Sequence, residues 1–319
     1  MIDGATWSKR ECPCCGAVAT KEQKNISSHR PAEFLEWKDV RDSFIGLRAA
    51  QVFFSYQRCI NCELLYSPKY FSTSQLDELY SLMPDNLMGE NEGTATQTQD
   101  GYANHILKYV RGIENYVELG PDIGLVAKRI SHQYPHARAT LVEPNEAVRD
   151  QLIFNSSDFR EVNVVNELGE TLNLSNSDFD LVVGIHVLDH LLNPSETLGR
   201  LYDASRINAH LCVVVHNEKS LLRFILGKKW PPFCLQHPQI FNRRSIRKML
   251  NLNGWETIVI RRTKNYFSLR NLFEMLCLIT NAPKGIVKIV PNVQVPIKLG
   301  NIIVIAKKIE AHQTNNINQ

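Results

Sequence analysis

Short apolar runs, separated by polar turns, recur through the last two-thirds of the chain. Tyr116–Gly120 is the first, and it ends in a glycine turn. Ala139–Glu143, Phe179–His186 (FDLVVGIH) and Leu211–His216 (LCVVVH) follow, and Thr257–Arg262 and Asn301–Lys307 close the series. Runs without polar alternation fit strands covered on both faces. Between them lie stretches with helical spacing: Leu125–Tyr134, Asn145–Asn155, a helix around Ser195–Ser205, and Arg243–Asn253. Gly254 stands where a C-cap glycine belongs. Repeated strand–helix units predict an α/β fold built on a parallel, doubly wound sheet.

The N-terminal part has a different texture. Residues 1–80 hold five of the eight cysteines, and 81–104 are rich in Gly, Asn, Thr and Gln. The expected layout is a small module over 1–80, a linker or lid over 81–104, a large domain over 105–308 and a frayed polar tail over 309–319. The chain has 319 residues, 44% hydrophobic and 22% charged. That composition excludes a disordered, collagenous or coiled-coil protein. The opening MIDGATWSKRECPCCG lacks an apolar signal region. The longest apolar stretch, Leu272–Val290, is broken by Glu274, Pro283, Lys284 and Lys288. A cytoplasmic protein with reduced thiols is therefore expected.

Reduced cysteines in pairs point to a metal. Cys12 and Cys15 form one C-x2-C knuckle, and Cys59 and Cys62 form a second. Four thiolates so arranged suit tetrahedral Zn2+, with no open position for catalysis. The 43 intervening residues must loop out, and Cys14 competes within the first knuckle. Cys212, Cys234 and Cys277 read as packing residues. Residues 1–80 carry ten Lys/Arg and ten Asp/Glu, a balance that gives no footprint for nucleic acid.

The segment Val117-Glu118-Leu119-Gly120-Pro121-Asp122-Ile123-Gly124 follows a strand and opens a helix. Glycines let the backbone approach a ligand there, and the helix start offers free N–H groups. Glu143 ends the next strand, 25 residues after Glu118. An acid at that position accepts hydrogen bonds from ribose hydroxyls. The combination fits a nucleoside-containing ligand.

These residues carry a family resemblance. Glu118–Gly124 resembles motif I of class I S-adenosylmethionine-dependent methyltransferases (E/D-x-G-x-G-x-G), with Asp122 at the middle glycine position. Glu143 matches that family's ribose-binding acid. Phe179 through Pro194 (FDLVVGIHVLDHLLNP) resembles its strand-4 motif, and His237–Phe241 with Ser245–Gly254 resembles a later stretch. Cys12–Gly16 and Arg58–Pro68 resemble a zinc-binding module that precedes a bacterial subgroup acting in sugar and polysaccharide pathways. The likeness runs from about residue 11 to 308. It implies a seven-stranded Rossmann-like sheet with an antiparallel last strand, and methyl transfer from S-adenosylmethionine. The implied cofactor-binding residues are Glu118, Gly120, Asp122, Gly124, Glu143, Pro144 and His186.

Methyl transfer needs donor and acceptor aligned, and a base where the acceptor loses a proton. His186 is the favoured base, with His190 and His237 next. His216 and Asn217 also end a strand facing the crevice. His186-x-x-Asp189-His190 resembles the E-x-x-E-H cation motif of ubiquinone-biosynthesis O-methyltransferases, with both glutamates replaced. Net charge is +3, yet residues 240–308 carry 13 Lys/Arg and two Asp/Glu. The asymmetry fits either a solvated basic surface or an anionic acceptor: a nucleotide-linked sugar, a lipid-linked glycan, or a membrane surface contacted peripherally near Leu272–Ile279. A scaffold that has lost catalysis and an NAD-binding oxidoreductase are the alternatives. The oligomeric state does not follow from the sequence.

Overall fold

The computed structural model describes residues 7–20, 23, 25–45, 52–81, 92–170, 174, 177–280, 284–298 and 300–310. In chain order the elements are β1 (Ser8–Lys9), β2 (Asn25–Ile26), α1 (Trp37–Ile45), β3 (Tyr56–Arg58), β4 (Leu65–Tyr66), β5 (Lys69–Tyr70), α2 (Thr73–Ser81) and α3 (Glu92–Ile106). Then come β6 (Asn115–Leu119), α4 (Leu125–Gln133), β7 (Arg138–Val142), α5 (Arg149–Asn155), β8 (Glu161–Val165), β9 (Phe179–Ile185), α6 (Pro194–Asp203) and β10 (Ser205–His216). The chain closes with α7 (Leu221–Leu226), β11 (Gln239–Ile240), α8 (Arg243–Leu252), β12 (Trp255–Arg262), β13 (Asn265–Ser268), α9 (Leu269–Thr280), β14 (Gln294–Ile297) and β15 (Asn301–Lys308).

Seven strands form the main sheet in the order β12-β15-β10-β9-β6-β7-β8. The five from β10 to β8 are parallel, and β15 runs antiparallel between β10 and β12. This is the doubly wound sheet with an antiparallel last strand that the sequence leads one to expect. Chain order reverses at the β6–β9 neighbours, so the crevice opens at the C-terminal ends of those strands.

Alternate side chains of each strand go to opposite faces. Leu181, Val183, Cys212, Val214 and Ile305 pack with Tyr102, Ala103 and Ile106 of α3 and Val126 and Ile130 of α4. Val182, Val213, Val215 and Val304 pack with Leu198 and Leu201 of α6 and Ile246, Met249 and Leu250 of α8. Both faces are covered, which is why the strands read as unbroken apolar runs.

Three parts differ from the sequence pattern. The expected linker or lid over 81–104 overlaps α3, whose apolar positions Tyr102, Ala103 and Ile106 are buried, with Ala95 half-buried. Residues 82–91 and the tail from 311 lie outside the described residues. Strand β8 escapes the pattern because it is an edge strand, half-exposed along its length. The third concerns the N-terminal sheet, ordered β11-β4-β3-β2, because β11 comes from far downstream. Gln239 and Ile240 pair with Tyr66 and Leu65. The cysteine-rich segment thus shares a sheet and a core with the chain that follows β10. Among the described residues no helix is long and apolar enough to cross a membrane.

Candidate active site and cysteine cluster

The loop after β6 turns on residues with positive φ: Gly120 at 60°, Asp122 at 53° and Gly124 at 78°. A Cβ on Gly124 would lie 2.7 Å from Leu152 Cδ1, and one on Gly120 would lie 2.9 Å from Val187 Cγ2. Side chains are excluded there, so the backbone itself faces the crevice. Asp122 fills the middle position of the motif with a tolerable left-handed conformation, since Asp adopts it at modest cost. Its backbone N–H donates to Glu143 Oε2, and that of Asn145 donates to Oε1, both at 2.9 Å. Glu143 is thereby fixed at the end of β7 beside exposed Pro144, and its carboxylate keeps further acceptor capacity.

Glu118 has turned inward. It is buried, accepts from the Tyr116 hydroxyl at 2.5 Å, and is bonded by the Ala127 amide in the first turn of α4. It braces the loop from behind. Burial raises its carboxyl from an ordinary 4.5 to about 8. The folded chain therefore holds a proton that the unfolded chain releases above 4.5. This contribution to stability is complete below that pH and is lost as pH climbs through 8. Glu118→Gln should melt progressively higher relative to the parent as pH rises from about 6 to 9. Parallel melting curves across that range would contradict the inward, protonated Glu118.

Across the crevice four imidazoles converge from the ends of β9 and β10 and from the loop before β11. His186 follows β9 with φ 57°, and its ring stacks on His216 at 4.6 Å between centroids. His216 and Asn301 face each other across the β10–β15 pairing. The Asn301 amide joins the two rings: Oδ1 lies 2.9 Å from His216 Nδ1, and Nδ2 lies 3.2 Å from His186 Nε2. His216 Nδ1–H thus donates, and His186 Nε2 accepts. Reversing the amide would turn a lone pair of His186 Nδ1 toward the buried Asp189 carboxylate, 4.0 Å away, which is unfavourable.

The second pair is fully committed. His237 Nδ1 lies 2.8 Å from the Pro232 carbonyl and 3.3 Å from Cys234 Sγ, and its Nε2 lies 3.3 Å from His190 Nε2. Burial opposes charge on His237. The neighbouring Cys234, drawn toward its thiolate, outweighs burial with help from Asp189 and raises His237 to about 9. His190 is pushed well below its usual value by burial and by His237. It therefore accepts from the His237 imidazolium. His186 falls to about 4 and His216 to about 3, burial being the main cause for both. Among the described residues, within the four rings, His186 Nδ1 is left as a proton-bearing nitrogen without a hydrogen-bond partner, and the nitrogen left with a lone pair and no protein partner is His216 Nε2.

His186, Asp189 and His216 each offer an atom within 4.8 Å of the others. Two imidazole ligands would need two free lone pairs, and the shared amide leaves one. The trio is better suited to handling a proton than to binding a cation.

The four paired cysteines do converge. Cys12 and Cys62 sulfurs are 3.4 Å apart, Cys15 and Cys59 sulfurs 3.5 Å, and all four lie within 4.8 Å. Tetrahedral Zn2+ at about 2.3 Å from each sulfur would set them roughly 3.8 Å apart, so the set fits with slight opening. Each knuckle turns through a left-handed residue four positions after its first cysteine, Gly16 at 68° and Glu63 at 61°. The Gly16 and Glu63 amides donate to the Cys12 and Cys59 carbonyls. Cys14 lies beside the set rather than in it: its thiol approaches the Ser245 carbonyl at 3.9 Å and also contacts Cys62.

A doubly wound sheet with this strand order, a glycine turn and an acid-ended second strand define an S-adenosylmethionine-dependent methyltransferase. The chain belongs to the methyltransferase-domain family, which matches residues 87–259. No curated sequence matches it. Among solved structures, one similar protein is the 1,6-didemethyltoxoflavin N1-methyltransferase of Burkholderia thailandensis, with 1,6-didemethyltoxoflavin and S-adenosylhomocysteine bound. It is 12% identical, with a TM-score of 0.50, over 79% of this chain and 98% of that one. Another is a Bacillus halodurans protein described as a methyltransferase, 14% identical, with a TM-score of 0.50, over 65% of this chain and 99% of that one. At such identities the likeness is one of fold.

Proposed function

We propose that the chain methylates an anionic sugar, nucleotide-linked or lipid-linked, at oxygen or carbon, within the broader class of small-molecule and glycan acceptors. The observation that carries this reading is the charge of the chain segment that contributes His237 to the imidazole cluster. From Lys219 to Trp255 the chain has eight Lys/Arg and no Asp/Glu. That stretch starts three residues after His216 and includes His237. A segment so biased raises the local positive potential and favours an anionic acceptor.

S-adenosylmethionine supplies the methyl group. Gly120, Asp122, Gly124, Glu143 and Pro144 are the residues to hold it, with Glu118 bracing them and His186 bordering the acceptor side. For a hydroxyl acceptor, His216 Nε2 takes the proton as the oxygen forms its bond to the methyl carbon and the carbon–sulfur bond breaks. The imidazolium that forms lies beside the Asp189 carboxylate, which accepts from the His216 amide at 3.0 Å. His186 and Asn301 orient the ring, and His237, charge-paired with Cys234, holds His190 in place. His216 is thus preferred as the base over His186, His190 and His237, whose acceptor nitrogens are engaged. In the same proposal residues 1–80 form a structural zinc module on Cys12, Cys15, Cys59 and Cys62, and 105–308 form the catalytic domain.

The test is methyl transfer to a panel of nucleotide-sugars and their neutral parent sugars at several salt concentrations. The anionic acceptors should turn over, with KM rising about threefold or more between low and high salt. Preference for the neutral sugars, or a KM indifferent to salt, would remove the acceptor assignment.

A further inference from the structure

Helix α7 is apolar on both sides. Leu222 and Leu226 face inward and pack with Trp230, Phe233 and Phe53. Leu221, Phe224 and Ile225, at i, i+3 and i+4, form the opposite face and are 72%, 80% and 67% exposed. A helix with apolar side chains all round is normally buried, and this one is not. It is nonetheless well anchored: Ser220 caps it by accepting from the Arg223 amide, and the Arg223 guanidinium lies over the Phe233 ring.

The surroundings of α7 are basic. Lys228 and Lys229 follow it directly and are exposed. Glu63, in the second cysteine knuckle, bonds both Lys219, just before α7, and Arg244, in the first turn of α8, at 2.6 Å each. That carboxylate therefore draws the knuckle and the starts of α7 and α8 together. On α8, Arg243 and Arg247 are exposed, and Lys248 donates to the Asn61 carbonyl at the knuckle tip. Beside Asn61, Ile60 is 70% exposed. The other carboxylate at this junction, Glu218, is spent on Arg58 through two bonds of 2.7 and 2.9 Å. The result is an apolar helix face with three projecting side chains, next to a basic junction whose carboxylates Glu63 and Glu218 are already paired.

We propose that this face docks on an anionic lipid surface, with Leu221, Phe224 and Ile225 entering the headgroup region and the lysines and arginines meeting lipid phosphates. Exposed apolar residues next to cations are what interfacial binding requires: the apolar groups gain from burial in the headgroup–acyl boundary, and the cations gain from the surface potential. Helix α7 begins five residues after His216, and Trp230 lies 6.2 Å from the His216 ring. Docking would set the pocket beside the membrane, where a lipid-linked acceptor is presented. That last step rests on the acceptor reading above; the docking itself does not.

The experiment is flotation of the full-length protein with vesicles of phosphatidylcholine alone and of phosphatidylcholine with phosphatidylglycerol. The parent protein should float with the anionic vesicles and not with the neutral ones, and high salt should release it. The variant Leu221→Ser/Phe224→Ser/Ile225→Ser should lose more than about tenfold in partitioning, and Lys228→Glu/Lys229→Glu should lose a similar amount. S-adenosylhomocysteine affinity, measured on each variant, should stay unchanged and so report an intact fold. Absence of flotation by the parent protein, or flotation equal in parent and triple variant, would overturn the proposal. So would release by millimolar inorganic phosphate at constant ionic strength, which would mark a free-phosphate site. A concentration-dependent dimer abolished by the triple variant would also overturn it. Flotation with no activity on lipid-linked acceptors would leave docking standing and count against the acceptor reading.

Discussion

Replacing His216 with asparagine should lower kcat by about 10²–10⁴, the range a general base supplies, while S-adenosylhomocysteine affinity changes less than about threefold. The expectation comes from counting donors and acceptors. Asn301 takes the Nδ1 proton of His216 and the Nε2 lone pair of His186, and the His237 imidazolium takes the Nε2 lone pair of His190. One acceptor nitrogen remains. Glu143→Gln should give the opposite signature, with weakened S-adenosylhomocysteine binding and a smaller effect at saturating donor. Its carboxylate accepts from the Asp122 and Asn145 amides in the loop proposed to hold the donor. If His216→Asn keeps full turnover while His186→Asn does not, the base assignment moves back to His186. Equal loss of turnover and donor binding in His216→Asn would argue for a structural role instead.

The second large effect concerns the cysteine cluster. The purified protein should contain one equivalent of zinc, and Cys59→Ser should remove it and lower the melting temperature by on the order of 10 °C. The size follows from where the cluster sits. Cys12, Cys59 and Cys62 are buried in the same core as Leu64, Tyr66, Ile246 and Met249, so an unligated site would leave thiols and knuckle backbone without their organising centre. Cys14→Ser is the control. Its thiol touches Cys62 and the Ser245 carbonyl but is not one of the four mutually converging sulfurs, so zinc content should stay at one equivalent. Zinc retained in Cys59→Ser, or lost in Cys14→Ser, would refute the ligand set.

The main sheet is legible in the sequence because the central stretches of β9, β10 and β15 are covered on both faces and are apolar there. The edge strand β8 is not, since half its residues face outward and the periodicity is diluted. Helix α3 is hidden for a related reason: it covers one side of the sheet with three side chains and is mostly polar elsewhere. The donor loop shows itself through local requirements, the glycines with positive φ and the acid that ends β7. Four converging sulfurs are likewise implied by two short spacings. The imidazole cluster is only half legible. Histidines after strands can be picked out, but the state of each nitrogen depends on Asn301, 85 positions beyond His216 and opposite it in the β10–β15 register. The inward turn of Glu118 escapes sequence for the same reason, because its partner geometry is set by the packing of β6 under α4.

The short pairing of Gln239 and Ile240 with Tyr66 and Leu65 also bears on how the chain comes to be built. A ribosome releases the N-terminal cysteines long before β11 exists. The knuckles can form early, but their sheet lacks its last strand until some 170 further residues have emerged. The final closure then seats the His237 loop at the same moment as it completes the N-terminal sheet. The pocket wall and the cysteine-rich segment therefore mature together, and a chain begun at residue 105 would be born without the surface on which its own β11 rests.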